Sequence, residues 1–171
     1  MLRRADPVPV SRWKGTEASG CTLAQMAEDR FIVADALVAG GVDLDTLRLV
    51  LPRVDPRTVT ASVAPMWFRA VWGKRIAAVC MAWGIYVQPA VMQRYRRGDD
   101  PPRIARLMVH ELTHLEQWRR LGAFGHSVQY LGDYLRARLS GVGHWESYRG
   151  VRLEVEARQT ARLVASMPSR R

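Results

Sequence analysis

The sequence predicts one α+β domain, with helices on its N-terminal side, a small mainly antiparallel sheet in the middle and a helical C-terminal portion. Three observations carry that expectation. Apolar residues recur at helical spacing over 22–39 and again from about 101 to 121. Between them, from Met66 to Pro89, the composition turns to tryptophan, valine, isoleucine and tyrosine, punctuated by Gly73 and Gly84. Two more helical patterns, about 127–139 and 148–167, close the chain on either side of Gly141-Val142-Gly143.

Taken in order, residues 1–20 mix prolines, glycines and charges without periodicity and read as an extended or disordered lead-in, which leaves 21–171 as the domain. The first helix takes Thr22 as its N-cap, a stripe through Leu23, Met26, Phe31 and Leu37, and a stop at Gly40-Gly41. A shorter helix is expected from Asp43 to Leu51, ended by Pro52, with Pro52 and Pro56 marking a turn region. Strands are expected near Trp67–Trp72, Ile76–Ala82 and Ile85–Gln88. Arg94 to Pro102 reads as a polar loop, after which Asp100 is placed to cap a long helix whose first turn tolerates Pro101 and Pro102. That helix should stop at Gly122.

Composition narrows the function classes. A hydrophobic share of 48% permits a core and argues against a disordered chain. The most apolar run, Ile76 to Val87, falls short of the roughly 20 residues a membrane span requires. Asp6, Pro7 and Pro9 follow Arg3 and Arg4 where a signal peptide needs an apolar stretch, so a cytoplasmic protein is expected. Cys21 and Cys80 belong to no metal or redox spacing and read as buried free thiols. The formal net charge is +10, and of 26 basic residues only Lys14 and Lys74 are lysines. An arginine-rich solvated surface accounts for this. Nucleic-acid binding would need an accompanying motif, and none is seen.

The chemistry concentrates in His110-Glu111-Leu112-Thr113-His114. Helical residues four apart project from one face, so both imidazoles can address one metal ion. Glu111 sits about 100° further round. From there it can reach the metal's open position and move a proton without ligating. Ile104, Leu107, Met108, Leu112, Leu115 and Trp118 supply an apolar stripe on the same helix. Two histidines leave a catalytic site one ligand short, and the position six residues after the second is Arg120, not a third histidine. Glu154 and Glu156 are the leading carboxylates to complete it, with His126, His144, Asp133 and Glu146 as further candidates. Tyr148 is a candidate oxyanion donor or simply a packing tyrosine. Asp133 is a candidate to orient a ligand histidine or an exposed helix aspartate. His126 and His144 read as surface or loop histidines. Arg94, Arg96 and Arg97 form a basic cluster suited to acidic groups or to plain solvation.

The His-Glu-Leu-Thr-His segment, followed by Glu154-Val155-Glu156-Ala157, resembles the gluzincin group of zinc metallopeptidases. It is similar to small bacterial zincin-like domains in which the helix continues as Gln-Trp, here Gln117-Trp118, and a tyrosine precedes a Glu-x-Glu-Ala motif. The resemblance spans about residues 67 to 165. It implies a zincin-like fold, one Zn2+, peptide-bond hydrolysis with Glu111 as general base, and His110, His114 and Glu154 as ligands, Glu156 being the alternative. It also implies that a strand upstream of the zinc helix pairs with an extended peptide substrate, and Ile85-Tyr86-Val87-Gln88 is the candidate. The aspartate that usually follows the ligand glutamate is Arg158, which leaves the histidines' hydrogen-bond partners unassigned. A zinc-holding structural or regulatory module without peptidase activity is the alternative reading.

Overall fold

A three-residue strand, β1 (Arg30–Ile32), turns only Phe31 inward. The computed structural model describes residues 29–72 and 76–167. Ile32 passes directly into α1 (Val33–Ala39), which buries Val33, Ala34, Ala36 and Leu37. The single helix expected over 22–39 is therefore interrupted: its first part lies outside the described residues, and Arg30–Ile32 pairs with a strand instead. Pairing across the sheet overrides helical spacing here, as it can for Phe and Ile, which favour strands. Gly40 stops α1 at a tight crossing, because a Cβ there would run into Ala105 and lie 2.7 Å from the Pro101 carbonyl oxygen. Gly41 follows in the left-handed region at φ 81°.

The short helix expected from Asp43 is α2 (Leu44–Val50), and Asp43 caps it, its Oδ1 accepting from Asp45 N at 2.9 Å and Thr46 N at 3.4 Å. The region assigned to turns then yields an unforeseen strand, β2 (Thr60–Val63). The tryptophan-rich stretch Met66–Trp72, expected as a strand, is helix α3. Pro65 starts it, its carbonyl accepting from the amides of Phe68 and Arg69. A two-residue turn joins β3 (Ala78–Met81) to β4 (Gly84–Val87), close to the expected strands.

The sheet order is β1-β2-β4-β3. Its outer pairs are antiparallel and its central pair, β2 with β4, is parallel. The sheet is thus mixed, and β4 is interior. The expectation that Ile85 to Gln88 pairs with a substrate is corrected by this topology: both sides of β4 are already paired, and the edge strands are β1 and β3.

Helix α4 (Pro89–Arg97) takes in the first four residues of the expected polar loop, opening on proline and closing on Gly98 at φ 69°. Helix α5 (Pro101–Leu139) begins at Asp100, which accepts from Arg103 N at 3.3 Å, and it breaks at Gly122 (φ 69°, ψ 169°) before resuming. The stop at Gly122 is where the sequence put it, but the next helix follows without a loop. The C-terminal helix expected over 148–167 is two, α6 (His144–Gly150) and α7 (Arg152–Ser166), separated by extended Val151.

The core lies where α1, α5 and α7 meet the sheet, around Leu37, Ile85, Val87, Met108 and Leu112. Each such side chain contributes about 1.5–3 kcal/mol by leaving water. Cys80 is a buried free thiol, and burial pushes its pKa up. Cys21 lies outside the described residues. Among the described residues no helix is long and apolar enough to cross a membrane. The architecture is α+β and mostly helical.

Candidate metal centre

One turn of α5 brings His110 and His114 into edge-to-face contact, with ring centroids 4.8 Å apart. Their Nε2 atoms stand 3.2 Å apart. Glu154 enters from the first turn of α7, with Oε2 3.6 Å from His110 Nε2 and Oε1 3.5 Å from His114 Nε2. Tetrahedral donors at zinc–nitrogen bond length are separated by about 3.3 Å, so these spacings suit one ion of that kind. Among the described residues His110, His114 and Glu154 form the group able to hold a metal. Glu156, the alternative carboxylate, faces elsewhere: it accepts from Gln117 Nε2 at 3.0 Å and Arg120 Nη2 at 2.9 Å.

Gln117, wholly buried, supplies the hydrogen-bond partner the sequence left open. Its Oε1 lies 2.9 Å from His114 Nδ1, and its amide nitrogen donates to Leu153 O and to Glu156. A carbonyl oxygen can only accept. His114 therefore carries its proton on Nδ1 and turns a bare Nε2 toward Glu154 and His110. Gln117 was legible as a neighbour, one turn after His114, but its second anchor at Leu153 belongs to the tertiary structure.

Charge in this buried group is balanced internally. For Glu154, burial works against the anion, but His110 at 3.6 Å and the charges of both histidines hold its pKa below the ordinary value. For His110, burial is outweighed by the adjacent Glu154 carboxylate and the Glu111 charge, and the pKa rises. For His114, burial wins and the pKa falls. Glu111 is 3% exposed and has no place among the three donors. Burial, reinforced by Glu154 and opposed by His110, lifts its pKa to about 7. That is the range in which a carboxylate both takes and returns a proton at neutral pH.

A cavity of about 550 Å³ opens over this cluster. One wall is β3, through Ala78, Val79, Cys80 and Met81. The opposite wall is aromatic. His126 stacks on Trp118 at 3.9 Å, and Tyr130 stands 6.5 Å from Tyr148. Tyr130 and Tyr148 line the cavity with Glu154, and burial, then the negative charge of that carboxylate, raises the pKa of each. Tyr148 thus reaches the site where the sequence suggested it, whereas Tyr130 and Trp118 had not been singled out for it.

His126 corrects the surface assignment. It is buried, its Nε2 and Trp118 Nε1 have no hydrogen-bond partner among the described residues, and burial lowers its pKa to about 4. The break at Gly122 re-aims the helix so that this histidine turns inward. His144 and Glu146 are exposed, with His144 Nδ1 2.8 Å from the Tyr134 hydroxyl. Asp133 orients no ligand histidine but accepts from the backbone and guanidinium of Arg152. Arg158, standing where an aspartate was expected, has Nη1 3.8 Å from Glu154 Oε2 and donates to the Arg149 carbonyl.

The chain matches no protein-family model, no curated protein and no solved structure.

Proposed function

We propose that this chain is a zincin-like metallohydrolase that cleaves peptide bonds with one Zn2+. The carrying observation is the convergence of His110, His114 and Glu154 at 3.2–3.6 Å, with the buried Glu111 carboxylate lining the same cavity. Bound there, zinc would polarise the scissile carbonyl and acidify water. Glu111 takes the proton of the attacking water and returns it to the leaving amine, a role suited to a carboxyl titrating at about 7. Tyr148, in the same cavity wall, donates to the developing oxyanion. An extended substrate pairs with β3, the sheet edge lining that cavity, and its backbone hydrogen bonds hold many sequences.

Glu111→Gln tests the assignment. Zinc content by mass spectrometry should stay near one ion per chain, and cleavage of a mixed peptide library should drop by about 10²–10⁴-fold. Undiminished cleavage would remove Glu111 from its role. A second reading, a zinc-holding module without turnover, draws support from Arg158, whose charge sits beside Glu154 where an aspartate was expected. Stoichiometric zinc in a wild-type protein that cleaves nothing in the library would select it.

A further inference from the structure

A second cavity, of about 450 Å³, shares His110 as a wall with the first. Three helices deliver arginines to it: Arg94 from the last turn of α4, Arg103 and Arg106 from the start of α5, and Arg158 and Arg162 from α7. The positions are not scattered. Arg103, Arg106 and His110 share one face of α5, and Arg158 and Arg162 are one turn apart. Among the described residues, the cavity sets only Asp99 and Asp100 against five guanidinium groups, a surplus of three positive charges. Asp100 is also engaged at the helix start.

Among the described residues, the guanidinium groups of Arg94, Arg103, Arg106 and Arg162 form no hydrogen bond or ion pair. Like charges gathered in one concavity repel, and a bound anion relieves that repulsion. Guanidinium forks match carboxylate oxygens in pairs. The floor is apolar, with Val91, Ile104, Leu107 and Ala161. A cationic rim over an apolar floor fits an anionic group carried on a hydrocarbon stem better than a free inorganic ion. Among the described residues no phenylalanine, tyrosine or tryptophan lines the cavity, and none offers the stacking platform of a single-stranded nucleic-acid site.

We infer that this arginine cavity is a specificity subsite for an acidic side chain of the peptide whose scissile bond lies over the His110–His114–Glu154 cluster. The inference rests on the metallopeptidase reading for its geometry: His110 borders both cavities, so one extended chain can occupy the two at once.

The test uses the full-length Glu111→Gln protein, with and without zinc, and two fluorescent peptides that differ only by glutamate or glutamine. Fluorescence anisotropy should show the glutamate peptide binding about tenfold more tightly, a difference of one decade in Kd. That preference should shrink as salt rises from about 0.05 M to about 0.5 M. The exposed pair Arg103→Glu and Arg106→Glu, introduced together, should abolish it while zinc content and circular dichroism stay unchanged. Equal binding of the two peptides, a preference that survives the double reversal, or a thymidine oligonucleotide binding more tightly than the glutamate peptide would overturn the inference. The two readings separate cleanly. Acidic preference in a wild-type protein that cleaves nothing keeps the subsite and removes the hydrolase; cleavage indifferent to acidic residues does the reverse.

Discussion

The two lengths of α5, 101–121 before the Gly122 break and 123–139 after it, differ in how they place polar and apolar side chains. The first encloses Glu111, His114, Glu116 and Gln117, each nearly sealed from water. The second leaves Phe124 83% and Leu139 88% exposed, with Val128, Leu131 and Leu135 also outward. Burying polar groups costs free energy unless they are partnered. The first length provides partners, from Arg53 on Glu116 to the Gln117 bridge, and spends that organisation on the histidine pair. The second gives the site only one face, through His126 and Tyr130. The first length also buries Ile104, Met108 and Leu112, so its polar residues are set into an apolar core, whereas the second buries only His126 among the described residues.

The contrast can be broken most decisively at Glu154. Glu154→Ala removes the carboxylate of the donor group, and zinc affinity by chelator competition should fall more than about 100-fold, beyond what loss of an outer partner costs. Glu156→Ala serves as the control and should fall less; wild-type affinity in Glu154→Ala would show that the buried network does not exist for a cation. Next comes Gln117→Leu, which strips His114 and Leu153 O of their partner. Affinity should drop about 10–100-fold. Urea unfolding should lose about 1–3 kcal/mol from the unsatisfied groups. Gly122→Ala tests the break itself. Nothing lies within 4 Å of the added Cβ, so the cost is backbone strain alone. At φ 69° and ψ 169° that strain amounts to about 1–3 kcal/mol in stability. The smallest effect is expected at Leu135→Gln, within about 0.5 kcal/mol in the same assay. A larger loss that grows with protein concentration would mean that the outward face is covered in solution.

What could be read beforehand followed from locality. His110 and His114 share a face through helical geometry alone, and the apolar stripe from Ile104 to Leu115 made that helix plain. Asp100 announced its helix start by side-chain chemistry. The sheet resisted because its central contact is parallel and joins Ala61 to Ile85 across an intervening helix. Four residues beside two prolines carry no period long enough to reveal β2. The tryptophans of α3 satisfy strand preferences as well as helical ones, and only Pro65 hinted otherwise. His126 was misjudged for a geometric reason: its direction depends on the Gly122 dihedrals, which composition does not encode. Glu154 and Glu156 differ by two residues, about 200° of helix, and the docking angle of α7 decided which one meets the histidines.

The Gln117 amide has a further meaning for how the donor group comes together. Its oxygen end grips an imidazole on α5 and its nitrogen end grips the main chain of α7 at the residue before Glu154. Slippage of the last helix would cost the amide its main-chain anchor and withdraw the carboxylate in one movement. The side chain that orients the ring and the third donor are therefore fixed by the same seating of α7.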